Sequence, residues 1–311
     1  MNVAVELDGL TRRFDDMTAV DALSLSVQAG ELFGLVGPDG AGKTTTLRML
    51  AGVLPPTSGD ARILGLSVAR EAERVKHRIA YMSQRFGLYT DLTVRENIEF
   101  YADLYRVPAE DRPERLERLF AFSNLGDFQS RLAGQLSGGM KQKLSLCCAL
   151  VHRPAVMLLD EPTFGVDPIS RRDLWLIIHE MVADGVTVLV STAYLDEAER
   201  CDRVAMLHDG RLVALNTPAR LQSELEGRIM EVRTDSPRAA RDCVRGLHAV
   251  QGSVLFGDAV HLVLRDASRD WPHVEASLRN AGVKVVDAQP SYPSLEDVFI
   301  HLVSEAGRQH G

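Results

Sequence analysis

A short glycine-rich segment lies between an apolar run and a helical pattern, and it constrains the fold of this chain most strongly. Residues 37–45 read Gly-Pro-Asp-Gly-Ala-Gly-Lys-Thr-Thr, which fits the pattern G-x-x-x-x-G-K-[S/T]. The apolar run Leu32–Val36 precedes it and predicts a strand, and a helical pattern follows over 46–54. Backbone N–H groups between a strand and a helix N-terminus can enclose an anion. The segment therefore predicts a phosphate-binding loop in an α/β protein. Further apolar runs such as Val186–Val190 alternate with helical patterns, which predicts a largely parallel sheet.

The loop residues have distinct predicted roles. Lys43 can reach the β- and γ-phosphates of a nucleotide, and the Thr44 hydroxyl can ligate Mg²⁺. Asp39 is unusual because its carboxylate repels phosphate, so we expect it to point outward, toward a partner subunit. We predict that the nucleotide contacts the whole loop: Gly37, Pro38, Asp39, Gly40, Ala41, Gly42, Lys43, Thr44 and Thr45.

Two carboxylates follow a second apolar run. Val156–Leu159 predicts a buried strand, and Asp160 and Glu161 come directly after it. A strand end beside a phosphate loop can deliver Asp160 to the Mg²⁺ shell. Glu161, one residue on, can accept a proton from an attacking water as a general base. The two motifs together predict nucleotide hydrolysis.

Between these motifs, residues 136–142 read Leu-Ser-Gly-Gly-Met-Lys-Gln. With this segment the chain resembles the ATP-binding cassette (ABC) ATPases, whose defining feature is an LSGGQ-like motif. The resemblance covers about residues 3–215. The stretch Asp-Glu-Pro-Thr-Phe-Gly-Val-Asp-Pro at 160–168 and the ending Leu-Glu-Asp-Val-Phe at 295–299 are similar to the nucleotide-binding subunits of ABC-2 type exporters. The resemblance implies ATP as substrate, Mg²⁺ as cofactor and ABC-2 type transmembrane permease subunits as partners.

The resemblance also implies a second cassette, because in this family two cassettes enclose two ATP molecules head to tail. Ser137, Gly138 and Gly139 open a predicted helix whose N-terminus is suited to bind a phosphate held by the other cassette. Phe14 corresponds to the aromatic residue that stacks on adenine. Asp167 corresponds to an aspartate at the dimer seam, although its context Phe-Gly-Val-Asp departs from the commoner Ser-Ala-Leu-Asp.

Gln84 follows the predicted strand 79–82 and matches the family glutamine that contacts Mg²⁺ and water and senses the membrane partner.

The main departure from the family is Ala193, at the position where a histidine usually contacts the γ-phosphate. Alanine has no donor, and the loss of one oriented donor typically slows a reaction about 10²–10³-fold. We therefore expect tight ATP binding and slow hydrolysis at this loop, and pairing with a second cassette that supplies a complete site is compatible with this expectation.

The remaining sequence predicts an inserted helical subdomain and a small C-terminal domain. We predict a P-loop ABC ATPase domain over 1–220, with helices over about 88–152, and an α+β accessory domain over 221–311. Helical periodicity at 94–105 follows a capping box at Thr93 and Glu96. The order β-α-β-β-α-β over 229–288 predicts a ferredoxin-like unit, and Ser294 is the predicted cap of a last helix.

Composition narrows the class of partner. The 311 residues carry 35 basic and 43 acidic side chains, and this net charge of −8 disfavours nonspecific binding to nucleic acid. The sequence has no apolar stretch near the roughly 18 residues that cross a bilayer and no secretory signal. We expect a cytoplasmic protein with reduced cysteines, on the inner face of the cell membrane, that meets the membrane only through a permease.

Three functions are compatible with these motifs. The first is the ATP-hydrolysing subunit of a membrane exporter. The second is a regulatory cassette that dimerises on ATP and hardly hydrolyses it, which Ala193 favours and Glu161 opposes. The third is an ABC ATPase of translation or DNA repair, which the single phosphate loop, the lack of heptads and the acidic charge disfavour.

Overall fold

The computed structural model of the chain describes residues 2–84 and 87–309, the last four by their backbone alone. The chain forms two compact units, of which the first comprises residues 1–193 and 207–212 and the second 194–206 and 213–311. In the described ranges, no helix has the length and apolar character needed to cross a bilayer.

The strands are β1 Val3–Phe14, β2 Met17–Gln28, β3 Leu32–Val36, β4 Ser58–Ile63, β5 Leu66–Ser67, β6 Ile79–Met82, β7 Val156–Asp160, β8 Thr187–Thr192, β9 Arg203–His208, β10 Arg211–Asn216, β11 Ile229–Thr234, β12 Val250–Phe256, β13 Ala259–Leu264 and β14 Val285–Pro290. The helices are α1 Lys43–Leu50, α2 Ala72–Lys76, α3 Val94–Leu104, α4 Arg112–Ser123, α5 Gly138–Leu150, α6 Pro168–Ala183, α7 Leu195–Ala198, α8 Pro218–Ser223, α9 Pro237–Val244, α10 Ala267–Asn280 and α11 Leu295–Gln309.

The predicted parallel sheet forms the centre of the first unit. Strands β3, β8, β7 and β6 lie side by side in that order, and each neighbouring pair is parallel. Every residue of β3, β7 and β8 is buried, as expected for strands covered on both faces. Because parallel strands end at one edge of a sheet, the segments after β3, β7 and β8 meet there.

The prediction of a largely parallel sheet missed an antiparallel sheet in the same unit. Strands β2, β1, β4 and β5 pair in that order, each antiparallel to its neighbour. In β1 and β2, buried and exposed residues alternate, with shifts in register that interrupt the pattern. These two long strands have one solvated face, and their polar residues concealed the strand pattern in the sequence.

The helix predicted over 46–54 was misplaced at both ends. Helix α1 begins at Lys43, inside the glycine-rich segment, because Gly42 takes the left-handed conformation (φ +97°) and serves as its N-cap. It ends at Leu50, two residues before Gly52, which also has a positive φ. The helix N-terminus is therefore part of the loop that the sequence motif marks.

The inserted helices α3, α4 and α5 have a core of their own. Val94 and Ile98 of α3 pack with Leu116 of α4 and Leu144 of α5, all buried. The predicted capping box is confirmed, since the Thr93 hydroxyl accepts from the Glu96 N–H while the Glu96 carboxylate accepts from the Thr93 N–H.

In the second unit, β11-α9-β12-β13-α10-β14 follow the predicted order. The sheet has the strand order β12-β13-β11-β14 and is antiparallel throughout, which is a ferredoxin-like arrangement. Helix α11 begins after Ser294, as predicted, and the Ser294 hydroxyl accepts from the Asp297 N–H at 3.1 Å. Cys147, Cys148 and Cys201 are buried free thiols, and Cys243 is half-buried.

Candidate functional site

The glycine-rich segment follows β3 as a loop that leaves no room for a side chain at Gly37 or Gly42. A Cβ at Gly37 would lie 2.3 Å from the Leu207 carbonyl oxygen, and one at Gly42 would lie 2.5 Å from that of Ala19. Gly40 has a φ of +81°, which favours glycine. The loop conformation therefore depends on these three glycines, and its N–H groups lead into the N-terminus of α1.

Lys43 is buried and surrounded by oxygen atoms. Its Nζ donates to the carbonyl oxygens of Gly37 at 2.7 Å and Pro38 at 3.1 Å. The same atom lies 3.3 Å from Oε1 of Glu161, so the lysine forms an ion pair with the carboxylate after β7. Lys43 is only 4% exposed, and its charge is fixed at the mouth of the loop.

Asp160 accepts three side-chain hydrogen bonds at the end of β7. Thr44 Oγ1 and Ser191 Oγ donate to its Oδ1 at 2.9 and 2.8 Å, and the Tyr81 hydroxyl donates to Oδ2 at 3.2 Å. Burial and the charge of Asp160 raise the pKa of Tyr81 to about 12, so that hydroxyl stays protonated as a donor. The carboxylate is therefore held rigidly beside the loop.

Glu161 contacts three parts of the site. Besides its pairing with Lys43, its Oε2 accepts from Gln84 Nε2 at 3.0 Å, and its backbone N–H donates to Ser191 Oγ at 3.0 Å. Its φ of +49° is in the left-handed region, which costs a non-glycine residue energy and recurs at functional sites. That turn aims the carboxylate at the loop while Asp160 stays buried in the strand.

The donors in this cluster fit a magnesium ion. Thr44, Asp160 and Gln84 offer hydroxyl, carboxylate and amide oxygens, which are the ligands Mg²⁺ prefers. The hydroxyl of Thr44 and Oδ1 of Asp160 already lie 2.9 Å apart. Magnesium commonly uses one or two protein oxygens and completes its shell with water and phosphate oxygens, so a single buried carboxylate is sufficient.

Ser137, Gly138, Gly139 and Asp167 form a second group. Ser137 is the N-cap of α5 and accepts from the Met140 N–H at 3.3 Å. A Cβ at Gly139 would lie 2.2 Å from Ser170 Oγ and 3.5 Å from the Asp167 carboxylate, so the start of α5 abuts the start of α6. Asp167 caps α6, and hydrogen bonds from Ser170 and Ile169 lower its pKa.

Of the remaining predicted residues, Phe14, Asp39 and Ala193 are at the surface. Phe14 ends β1 and is 38% exposed, and the Arg12 guanidinium lies 4.5 Å from its ring centroid. Asp39 is exposed, while Ala41 is buried and Thr45 is half-buried. Ala193 directly follows β8 and is exposed, with no side-chain donor to offer.

Three residues that contact the predicted site residues were not predicted from the sequence. Ser191 lies opposite Asp160 in the pairing of β7 with β8, and Tyr81 lies on β6, the other neighbour of β7. Ser170 contacts the start of α5 from α6. The position of Ser191 at the end of an apolar strand indicates a candidate site residue. Its contact with Asp160 can be predicted only once the order of the strands is known.

Known proteins match this chain along most of its length. Residues 20–164 match the family described as ABC transporter. The probable multidrug ABC transporter ATP-binding protein YbhF of Escherichia coli is 44% identical over 99% of this chain, which spans about half (53%) of that protein. The daunorubicin/doxorubicin resistance ATP-binding protein DrrA of Streptomyces peucetius is 35% identical, over 96% of this chain and 92% of its own length.

Nod factor export ATP-binding protein I of Paraburkholderia xenovorans is 36% identical, and 96% of each chain is covered. Among solved structures, an ATP-binding subunit of an ABC transporter has a TM-score of 0.65 and 31% identity, over 71% of this chain and 92% of its own. A dimeric ATP-binding cassette in a post-hydrolysis state with ADP and Pi bound has a TM-score of 0.62 and 26% identity, over 68% of this chain and 98% of its own.

Proposed function

This chain belongs to the ABC transporter family, and from that premise we propose that it is the ATP-hydrolysing subunit of a multi-subunit ABC-2 type exporter. One observation carries the proposal. A buried lysine, a buried aspartate and a strained glutamate converge on a glycine loop at one edge of the parallel sheet. The names of the relatives, which include drug-resistance and Nod factor export proteins, support export as the process.

In the proposed reaction, the triphosphate of ATP lies on the N–H groups of residues 37–45 at the N-terminus of α1. Lys43 leaves Glu161 to pair with the β- and γ-phosphates. Thr44, Asp160 and Gln84 would hold Mg²⁺, which supplies charge neutralisation on the phosphates when bound. These residues would bind and orient the phosphate chain.

The proton transfer is assigned to Glu161. Once Lys43 is engaged by phosphate, the Glu161 carboxylate is free to accept the proton of a water aligned with the γ-phosphate. Gln84 donates to this carboxylate at 3.0 Å and so orients it. The left-handed backbone of Glu161 supports the assignment. Because of this turn, the carboxylates of Asp160 and Glu161 have different directions although the two residues are adjacent in sequence.

A second cassette completes the site in this proposal. Ser137, Gly138 and Gly139 form a helix N-terminus suited to a phosphate of the opposite cassette, and Asp167 next to it would lie at the dimer seam. The dimeric form of the related ATP-binding cassette with ADP and Pi supports this arrangement. Phe14 would stack on adenine.

The two domains would have separate tasks. We assign nucleotide binding to residues 1–220, and closure of the dimer would reach a transmembrane permease through the Gln84 region and the helices within 88–152. The chain would then act at the inner face of the cell membrane, attached through that permease. Residues 221–311 would be an accessory domain.

Ala193 supports slow hydrolysis at this site, because the position after β8 has no side-chain donor for the γ-phosphate. The second candidate function follows from the same observation. It is an ATP-dependent dimerisation or regulatory cassette that pairs with an active one. The intact Glu161 cluster favours the hydrolysing function over this alternative.

The test compares phosphate release and molecular mass for the wild type and Glu161→Gln. We expect MgATP to shift Glu161→Gln to the mass of a dimer and the wild type to release phosphate at a rate that the variant lacks. Wild-type phosphate release equal to that of Glu161→Gln, with dimerisation intact, would favour the regulatory function. No change in mass with MgATP, even with a co-expressed partner cassette, would contradict both functions.

A further inference from the structure

A cavity of about 330 Å³ lies in the first unit, away from the nucleotide cluster. Helix α4 and the ends of α5 and α6 form its walls, and Pro154 and Val186 line it just before β7 and β8 begin. Asp160 lies at the other end of β7, which is five residues long. That length corresponds to roughly 16 Å, so the cavity is distinct from the proposed nucleotide site.

The cavity has an apolar floor. Leu119, Val151 and Met181 line it and are buried, and Phe122 and Leu150 add half-buried surface. Its volume is at the lower end of the roughly 300–1,000 Å³ typical of small-molecule sites. The space therefore suits an apolar group of modest size.

Three arginines surround this floor in a protein of net charge −8. Arg115, Arg118 and Arg153 line the cavity, and each is paired with an aspartate or glutamate carboxylate, so these pairs leave the rim close to neutral. The preference for a carboxylate therefore rests on donor geometry, because a planar guanidinium binds a carboxylate through paired N–H groups.

The arginines have donors left after their internal bonds. Arg115 donates to the Val151 carbonyl at 3.0 Å and to Asp111 at 2.7 Å, Arg153 to Glu114 at 3.2 Å, and Arg118 to Asp184. A guanidinium carries five N–H groups, so each retains donors beyond these contacts. The internal pairs also fix the side chains at the rim, which reduces the entropy lost on binding.

We propose that this cavity binds a small amphipathic carboxylate, with its apolar chain on the Leu119–Met181 floor and its head group on the arginine rim. Because the lining residues belong both to the inserted helices and to the segments before β7 and β8, the ligand would bridge these two parts of the unit. No nucleotide takes part, so binding can be measured whatever the outcome of the ATPase tests.

Methyl NMR of the full chain, labelled with ¹³C at the methionine methyl groups, tests the proposal with octanoate as the probe. We expect the Met181 resonance to shift saturably, while that of Met17, which is 62% exposed on β2, stays in place. Acetate has the charge without the chain, and 1-octanol has the chain without the charge. Both should bind at least about tenfold more weakly than octanoate.

Two variants examine the two halves of the site. Val186→Trp, which fills the cavity, should abolish the octanoate shift, and Arg118→Ala should weaken binding about fivefold. Arg279→Ala is the matched control, because Arg279 is also exposed and paired with a carboxylate, at Glu275. The proposal is overturned by an unmoved Met181 resonance, by 1-octanol binding as tightly as octanoate, or by an unchanged shift in Val186→Trp.

Discussion

Lys43 Nζ and Glu161 Oε1 lie 3.3 Å apart, so the residue assigned to hold phosphate is paired with the residue assigned as general base. In this pair each charge neutralises the other. In the proposed reaction, a triphosphate would displace the carboxylate from the lysine and so free the base. Nucleotide binding and activation of the base would then be linked through one ion pair.

Glu161→Gln should bind ATP more tightly than the wild type does. Glutamine is uncharged and competes less for Lys43, so we expect the Kd for ATP to fall about fivefold. The turnover should fall about 10²–10³-fold, since the proton acceptor is gone. Equilibrium binding of a fluorescent ATP analogue and phosphate release measure the two effects. An unchanged Kd would mean that the ion pair does not oppose nucleotide binding.

Ala193→His should raise turnover. The position is exposed directly after β8, so an imidazole needs no repacking, and it restores a donor for the γ-phosphate. We expect a gain of about 10²-fold in phosphate release at saturating MgATP, the lower end of the effect of one oriented donor. Ala193→Leu adds a side chain of similar size without a donor and should leave the rate unchanged. Equal rates for Ala193→His and the wild type would show that Ala193 does not limit turnover.

Phe14→Ala should weaken binding of ATP but not of tripolyphosphate. Loss of a base-stacking ring typically costs about 1–3 kcal/mol, so the Kd for ATP should rise about tenfold or more. Tripolyphosphate has no base, and its binding to the loop should not change. Phe100→Ala is the matched control, because Phe100 is 37% exposed and Phe14 is 38% exposed. If both variants bind ATP equally, Phe14 is not the adenine platform.

Neighbouring glycines at the start of α5 should respond differently to alanine. A Cβ at Gly139 would overlap Ser170, whereas at Gly138 nothing lies within 4 Å. Gly139→Ala should therefore lower the free energy of unfolding by about 1–3 kcal/mol, and Gly138→Ala should change it little. Ser170→Gly removes the overlapping side chain and should recover most of the loss in the double variant. Denaturant unfolding of the three variants measures this, and equal losses at both glycines would contradict the packing of α5 on α6.

The sequence predicted those parts of the site that are contiguous in the chain. Residues 37–45 and the pair Asp160–Glu161 carry their chemistry in a local pattern, so a strand and a helix on either side were enough to interpret them. Ser191 and Tyr81 escaped prediction because their contact with Asp160 depends on which strands flank β7 and in which register. That order arises from packing of the whole sheet and has no local signature.

Local patterns also decided which strands of the fold could be predicted from the sequence. The buried strands β3, β7 and β8 and the ferredoxin-like order of the second unit were predictable because apolar runs and turns alternate clearly there. Strands β1 and β2 were missed because one face of each is solvated and register shifts break the two-residue period. Pairing between distant segments, such as β1 with β4, had no signal in the linear pattern.

His152 should make the stability of the chain depend on pH. Its ring stacks on Tyr105 with centroids 3.8 Å apart, and its Nε2 lies 3.1 Å from the Ile79 carbonyl oxygen. Burial lowers the pKa of His152 from its ordinary value of 6.5. The imidazole of His152 therefore binds a proton more readily in the unfolded chain than in the folded chain. Burial of the neutral ring contributes its full stability above about pH 6.5, and this contribution is lost as the pH falls through the lower pKa of the folded state.

His152→Phe keeps a stacking ring that cannot titrate. Its free energy of unfolding should therefore fall less than that of the wild type between pH 7.5 and about 5.5. His248→Gln controls for the loss of an exposed histidine, and parallel curves for His152→Phe and the wild type would contradict the prediction.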